Sequence, residues 1–393
     1  MLAYRRQRRG LTRAGVFVQW LEDDHDQERM NIIHRQTSAD DYSLVLKKIA
    51  DDLLSDQADD DRLSAAAAGL YSLCSSVTGI GEHPAYADDA DWTRLPGGEA
   101  IAPRDAARCV LDHRRTSTFL RGLHAAVLEA RARFPDTPIE ILYAGCGPFA
   151  PLALPLTTRF SPAEIRFTLL DVHERSLDAA RRIFQALGKG AYVRDYVQCD
   201  AASYRHAAPH PVHVVVVEAM QAALEREPQV AITLNLAPQL CPGGIFLPER
   251  ITVDCCLCDA AEEFPAHPAG PGAADSRSAS GGGGTRVHLG RVLDLSAGAC
   301  RTMSPSGSGE ERGGTFGPKR LLQVPEELDR ELYLTLLTTI TVYGSIALDE
   351  YESGLTCPRI LFDAGKMRGG EVLEFEYRLG DRPGFGYGPV QGA

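Results

Sequence analysis

The chain has 393 residues, with 41 Lys+Arg against 53 Asp+Glu, 11 His and a formal charge of -12. That length exceeds the ~250–300 residues at which a single core usually stops growing, so more than one domain is expected. A composition of 44% apolar and 24% charged excludes a disordered chain. The acidic balance argues against a nucleic-acid partner and suits a cationic ligand. No apolar run reaches the ~18 residues of a membrane span, so no membrane partner is expected.

The 10 cysteines are scattered, with neither paired metal-ligand spacing nor a dense disulfide framework. A reducing cytoplasm and no metal are the expectations. Residues 1–36 read as a frayed leader. Arg5, Arg6, Arg8, Arg9 and Arg13 precede a short apolar patch, and Glu22, Asp23, Asp24 and Asp26 follow it at once. A signal peptide needs a longer apolar core and a small-residue cleavage site. Met30 offers an alternative start.

Residues 37–103 read as a helical N-terminal domain. Val45, Ile49 and Leu53 recur at helical spacing, with Lys47, Lys48, Asp51 and Asp52 on other faces. A second helix is expected over 63–74. A Gly/Pro-bearing stretch at 96–103 then leads into a long helical segment, 104–134, which Pro135 stops.

The pattern changes within 104–249. Strand-length apolar runs recur at 139–143, 165–170, 192–198, 212–217 and 245–247, separated by helical stretches at 177–187 and 229–236. Strands alternating with helices imply an α/β unit with a parallel sheet covered on both faces. Residues 250–393 lose the helices. Strands are expected at 251–257, 333–342, 359–362 and 372–379, with Gly/Ser/Pro-rich inserts at 265–285 and 301–319. Gly281–Gly284 lacks the Lys-Ser/Thr that would follow in a phosphate loop.

Candidate site residues cluster at strand ends. Gly145-Cys146-Gly147 closes the first strand and precedes a helix-compatible run, where backbone N–H groups can approach a ligand. With Ala150 the stretch also fits a dinucleotide pattern, although Pro148 removes one donor. Asp171, ending the second strand, either accepts ribose hydroxyls or caps a helix. Asp200, after the third strand, either accepts an adenine amino group or caps a helix. Glu218 directly follows Val214–Val217, a run apolar enough to be buried on both faces. Glu225 and Glu227 alone would pass for a solvated helix start. Cys255, Cys256 and Cys258 read as buried thiols split across a strand. His206, His210 and His213 read as solvated or capping. Arg114, Arg121, Arg131 and Arg133 read as a solvated helix face.

Glu218-x-Met220-x-x-x-Leu224-x-x-Glu227 resembles the double-glutamate loop of protein arginine methyltransferases. Asp112-x-x-Arg115-Thr116-x-x-Phe119 resembles that family's D-x-x-R-T-x-x-Y/F helix. Pro242-Gly243-Gly244-Ile245-Phe246-Leu247-Pro248 resembles its glycine turn and strand before a β-barrel. The match spans roughly 105–258. It implies a class I methyltransferase, with a Rossmann-like domain that binds S-adenosyl-L-methionine over 104–249 and a β-barrel-like domain over 250–393. In the family that arginine holds the cofactor's carboxylate, a role that falls on Arg115. Gly145 and Gly147 would form the close turn, Asp171 would hold the ribose and Asp200 the adenine. Glu218 and Glu227 would be catalytic and, with Met220, substrate-binding.

The pattern also departs from the family. Tyr143 stands where an acidic residue is usual, Phe149 replaces the third glycine, and the Thr-His-Trp loop has no clear counterpart. The helical leader and the missing loop are more similar to the free L-arginine N-omega-methyltransferase of streptozotocin biosynthesis than to a modifier of protein tails. The resemblance thus implies N-methylation of free L-arginine in natural-product (antibiotic) biosynthesis, and a homodimer. A protein arginine methyltransferase, or an enzyme methylating or cyclising another small molecule, is the alternative. A nicotinamide dehydrogenase and a non-catalytic binding partner are further rivals.

The chemistry is independent of the resemblance. Guanidinium is planar, charged and carries five donors in a fork, so two carboxylates can grip it and orient one terminal nitrogen. Two close carboxylates without a cation repel, so one of the pair is expected to have a raised pKa in the free protein.

Overall fold

The computed structural model describes residues 39–81, 92–206, 209–263, 286–302, 314–328 and 332–390. The expected leader and the insert at 265–285 lie outside them. The N-terminal part opens with two helices, α1 (Ala39–Leu53) and α2 (Asp60–Thr78). The buried stripe of α1 is Leu46, Ile49, Ala50 and Leu53, so Leu46 takes the core place expected of Val45, which is half-buried. Asp59 caps α2 by accepting from Arg62 N at 2.9 Å, and Gly79 ends it at φ +78°. Such an N-cap is worth about 1 kcal/mol.

The stretch at 96–103 holds more than a linker. Thr93–Leu95 (β1) and Gly98–Ala100 (β2) pair as an antiparallel hairpin turning through Pro96-Gly97. The long helix expected over 104–134 is broken. Pro103–Arg108 (α3) passes into a short 3-10 turn, and His113–Arg133 (α4) restarts at the N-cap Asp112. Phe119, Leu120, Leu123, Val127 and Ala130 form the buried face of α4.

Five strands follow: β3 (Ile139–Ala144), β4 (Ile165–Asp171), β5 (Val193–Gln198), β6 (Val212–Val217) and β7 (Leu240–Leu247). They form one parallel sheet in the order β5-β4-β3-β6-β7. This is the parallel α/β sheet expected from the alternation, in the Rossmann-like arrangement that the resemblance implied. Helices α5 (Glu174–Ala186) and α6 (Gln229–Leu236) cross over between strands. All residues of β3 and β6 are buried, which explains the unbroken valine run. The strand order reverses between β3 and β6, and ligands of open α/β sheets bind beyond the carboxyl ends there.

The C-terminal part contains two antiparallel sheets. One has the order β12 (Ile346–Leu348), β11 (Tyr333–Tyr343), β8 (Arg250–Cys258), β9 (Val287–Leu295), with β13 (Arg359–Ile360) also on β11. The other joins β10 (Thr315–Gln323), β14 (Val372–Arg378) and β15 (Gly384–Pro389). Among the described strands no ladder links the two sheets, so closure into the expected barrel is not shown. The insert expected at 301–319 is shorter than the composition suggested. Arg301 and Thr302 end helix α7 (Ala297–Thr302), and Thr315–Lys319 belong to β10, paired with β14. No described helix is long and apolar enough to cross a membrane.

Candidate active site

The carboxyl ends of β3, β4, β5 and β6 deliver Gly145-Cys146-Gly147, Asp171, Asp200 and Glu218 to one cleft. Arg115 from α4 and Glu227 line the same cleft, which encloses about 990 Å3 including solvent at its mouth. Met220, expected to touch substrate, is not on this wall and is buried in the core. Every residue lining the cleft falls between Leu95 and Ile232.

The glycine turn is built for close backbone approach. Gly145 (φ +70°) and Gly147 (φ +60°) take a conformation side chains disfavour, and a Cβ on Gly145 would sit 3.3 Å from the Glu218 carbonyl. No α-helix follows, contrary to expectation. The run holds turns and a short 3-10 segment, because Pro148, Pro151 and Pro155 each remove a backbone donor. Asp171 does not cap a helix with its side chain. Its carboxylate accepts from Gly147 N at 2.9 Å and His173 N at 2.8 Å, which ties the glycine turn to the end of β4. Asp200 Oδ1 accepts from Ala202 N at 2.8 Å, an Asx-type turn at the mouth of the cleft.

Arg115 sits in the first turn of α4. Asp112 caps that helix by accepting from Arg115 N at 3.2 Å, and its other oxygen accepts from Ser353 Oγ at 2.7 Å and Gly354 N at 2.9 Å. The cap therefore fixes Arg115 and ties α4 to the C-terminal part. The Arg115 guanidinium donates from Nη2 to Glu218 Oε2. Burial opposes its charge, and Glu218 more than compensates, holding the Arg115 pKa above its ordinary value. Glu218 Oε1 is buried and has no hydrogen-bond partner among the described residues. A buried acceptor without a donor is costly and marks where a ligand donor fits.

The segment from Glu218 to Glu227 is not a helix start. It is a loop with one 3-10 turn at Ala222–Leu224, and Ala223, Leu224 and Arg226 have φ of +58°, +55° and +66°. Three non-glycine residues in this region imply a conformation imposed from outside. The restraints are visible. Gln229, fully buried, accepts from Ala219 N at 3.1 Å. Thr338 Oγ1 accepts from Ala223 N at 3.0 Å, and Tyr377 OH donates to Leu224 O at 2.5 Å. Arg226 N donates to Pro383 O at 2.9 Å, and Glu225 turns outward to Arg359 at 3.0 Å. Glu227, only 7% exposed, turns inward. Burial first and then the Glu218 charge raise its pKa to about 7, against the opposing pull of Arg115. One carboxylate of the pair thus has a raised pKa, with burial the larger cause and the neighbouring charge the smaller.

Gln229, Thr338 and Tyr377 were not singled out in the sequence. Gln229 carried a signal, as a polar residue opening the apolar run Val230-Ala231-Ile232. Thr338 and Tyr377 carried none, because their partners lie more than a hundred residues away. Other expectations change with the structure. His213 is neither solvated nor capping: it is buried in β6, and its Nδ1 accepts from Glu140 N at 3.0 Å. Arg114 is no solvated charge, since it bonds Asp60 at 2.9 Å and Glu352 at 3.2 Å. Arg121, Arg131 and Arg133 stay on a partly exposed face, where they pair with Asp56, Glu164 and Glu129. Cys255, Cys256 and Cys258 are all buried in β8, the inner strand between β9 and β11. Among the described residues no group of three His, Cys, Asp or Glu is arranged to hold a metal.

No protein-family description and no curated protein matches the chain. Among solved structures, the Trypanosoma brucei PRMT1 enzyme-prozyme heterotetrameric complex with AdoHcy is similar at a TM-score of 0.44 and 13% identity. The alignment covers 69% of this chain and 86% of that one.

Proposed function

We propose that the protein is an S-adenosyl-L-methionine-dependent N-methyltransferase acting on the guanidino group of arginine. One observation carries this reading. Two carboxylates, the buried Glu227 and the partly buried Glu218, share a cleft at the switch point of a parallel sheet, and Glu218 has a buried, orphaned oxygen. A guanidinium supplies what this pair needs, a delocalised cation with several donors in one plane.

The cofactor's groups fit the rest of the cleft. The orphaned Glu218 oxygen, the glycine turn and Asp171 at the end of β4 are the observations that support the fit. Arg115 would hold a carboxylate, Gly145 and Gly147 would let the chain approach closely, and Asp171 and Asp200 would accept from ribose and adenine. When bound, the group supplies an electrophilic methyl. The chain's own residues do the rest. Glu218 and Glu227 grip the guanidinium, orient one terminal nitrogen and draw positive charge toward the other nitrogens. Glu227 must ionise to hold the cation, and it then takes the proton that the acceptor nitrogen gives up. Alignment of two bound reactants supplies much of the rate.

Within this reading the acceptor is free L-arginine, in natural-product biosynthesis, in preference to a peptidyl arginine. The support is that, among the described residues, those lining the cleft all fall between Leu95 and Ile232 and come from the α/β part and its hairpin. The alternative acceptor is a protein arginine. A homodimer in the cytoplasm and the division into units 37–103, 104–249 and 250–393 belong to the same proposal. Incubation with S-adenosylmethionine and either L-arginine or arginine-rich peptides, followed by mass spectrometry, tests it. Methylated peptide with untouched free arginine would refute the small-molecule version.

A further inference from the structure

The inward turn of Glu227 depends on its neighbour, and that neighbour is held by the β1–β2 hairpin. Gly98 in β2 packs backbone to backbone against the loop. An added Cβ would lie 2.5 Å from Arg226 O, 3.0 Å from Pro228 N and 3.1 Å from Glu227 C. Glu99 N donates to Arg226 O at 2.7 Å. The Glu99 carboxylate then accepts from Arg226 Nη2 at 2.9 Å and Nε at 3.2 Å. The same guanidinium lies 4.4 Å from the centre of the Trp92 ring. From the other side, Pro383 O accepts from Arg226 N. Arg226 is therefore gripped at its N–H, its carbonyl and its side chain while holding φ at +66°.

That geometry has a consequence for the next residue. A left-handed residue reverses the chain locally, so Arg226 points out to the hairpin while Glu227 points into the cleft. Pro228 restricts Glu227 further, to extended backbone. Leu95 and Ala100 of the hairpin line the cleft themselves, and Thr93 Oγ1 lies 3.1 Å from His173 Nε2 beside Asp171.

We propose that the β1–β2 hairpin is part of the acceptor site, and that Glu99 and Arg226 are positioning residues that set the second carboxylate, Glu227, for a guanidinium. The proposal rests on the guanidine reading of the cleft. Neither residue needs to touch substrate; they act through the backbone of residues 226–228. An exposed ion pair adds little global stability, so the effect should appear in acceptor binding more than in unfolding.

The test is calorimetric titration of the whole chain with L-arginine in the presence of S-adenosylhomocysteine. It compares wild type, Glu99→Ala, Arg226→Ala, Gly98→Ala and the charge-exchanged double variant Glu99→Arg/Arg226→Glu. Hydrogen–deuterium exchange over residues 218–228 is followed in parallel. Expected results are an arginine affinity lowered about tenfold or more in each single variant, and S-adenosylhomocysteine affinity within twofold for Glu99→Ala and Arg226→Ala. Exchange at 225–228 should rise, and the exchanged pair should recover part of the loss. Arginine affinity within twofold of wild type in both Glu99→Ala and Arg226→Ala would overturn the proposal, as would equal loss of both ligands. If wild type binds S-adenosylhomocysteine but no guanidine, the functional reading fails instead. The exchange data then decide the hairpin's hold on the loop: unchanged protection at 225–228 in Glu99→Ala overturns it.

Discussion

Replacing Glu227 by Gln should abolish methyl transfer and, above neutral pH, make the free protein more stable. Burial beside Glu218 raises the Glu227 pKa from its ordinary 4.5 to about 7. At ~1.4 kcal/mol per unit this is on the order of 3 kcal/mol of strain in the ionised form. The sign follows from which state holds the proton. Below pH 4.5 folded and unfolded chains both carry it, and Glu227 costs nothing. As pH rises from 4.5 to about 7 the unfolded chain releases the proton while the folded chain keeps it, so stability falls. Above that the full cost is present. A glutamine carries no charge to desolvate and keeps a hydrogen-bonding head. Thermal unfolding of wild type and Glu227→Gln should therefore coincide near pH 4.5 and separate by pH 8. The variant should melt higher by roughly 5 °C, since 1 kcal/mol moves Tm by about 2–4 °C at 150–250 residues and by less in longer chains. Equal Tm values at pH 8, or a variant that melts lower there, would refute the reasoning.

Three other outcomes follow from the same charges. L-Arginine should bind more tightly as pH rises toward 7 and level off above it, because the cation needs Glu227 ionised; calorimetry in two buffers at pH 6 should show close to one proton released per arginine bound. Replacing Arg115 by Met leaves Glu218 buried without its cation and should cost about 3–5 kcal/mol in denaturant unfolding. The double variant Arg115→Met/Glu218→Gln should cost clearly less than that single change. Asp171→Asn leaves a side chain with one accepting oxygen for Gly147 N and His173 N, and should weaken S-adenosylhomocysteine at least about tenfold by calorimetry.

The parallel sheet was legible because each strand is a buried apolar run bounded by turn residues. Val212–Val217 is the clearest case, all six residues being buried. Strand-end positions then followed from topology, which is why Asp171, Asp200 and Glu218 reach one cleft. Less legible were elements whose stability comes from a distant partner. β10 reads as a Gly/Pro-rich insert until β14 supplies its ladder, and β15 is half glycine over Gly384–Pro389. The hairpin at Thr93–Ala100 carried a Pro-Gly-Gly turn signal but strands of only three residues, too short for an alternation to show. The loop conformation at Ala223, Leu224 and Arg226 could not be read locally, since no glycine marks it. Thr338, Tyr377 and Glu99 impose it from elsewhere in the chain. The spacing of Glu218 and Glu227 was in the sequence; their orientation was written in residues far from both.

The central claim is that Glu218 and Glu227 together hold a guanidinium for methylation. Purified protein incubated with S-adenosylmethionine bearing a labelled methyl group and with L-arginine, then analysed by mass spectrometry, tests it alongside Glu218→Gln and Glu227→Gln. The predicted result is label on a terminal guanidino nitrogen in wild type and its loss by at least about a hundredfold in each variant. Label reaching a different nitrogen, or transfer that survives both substitutions, would contradict it.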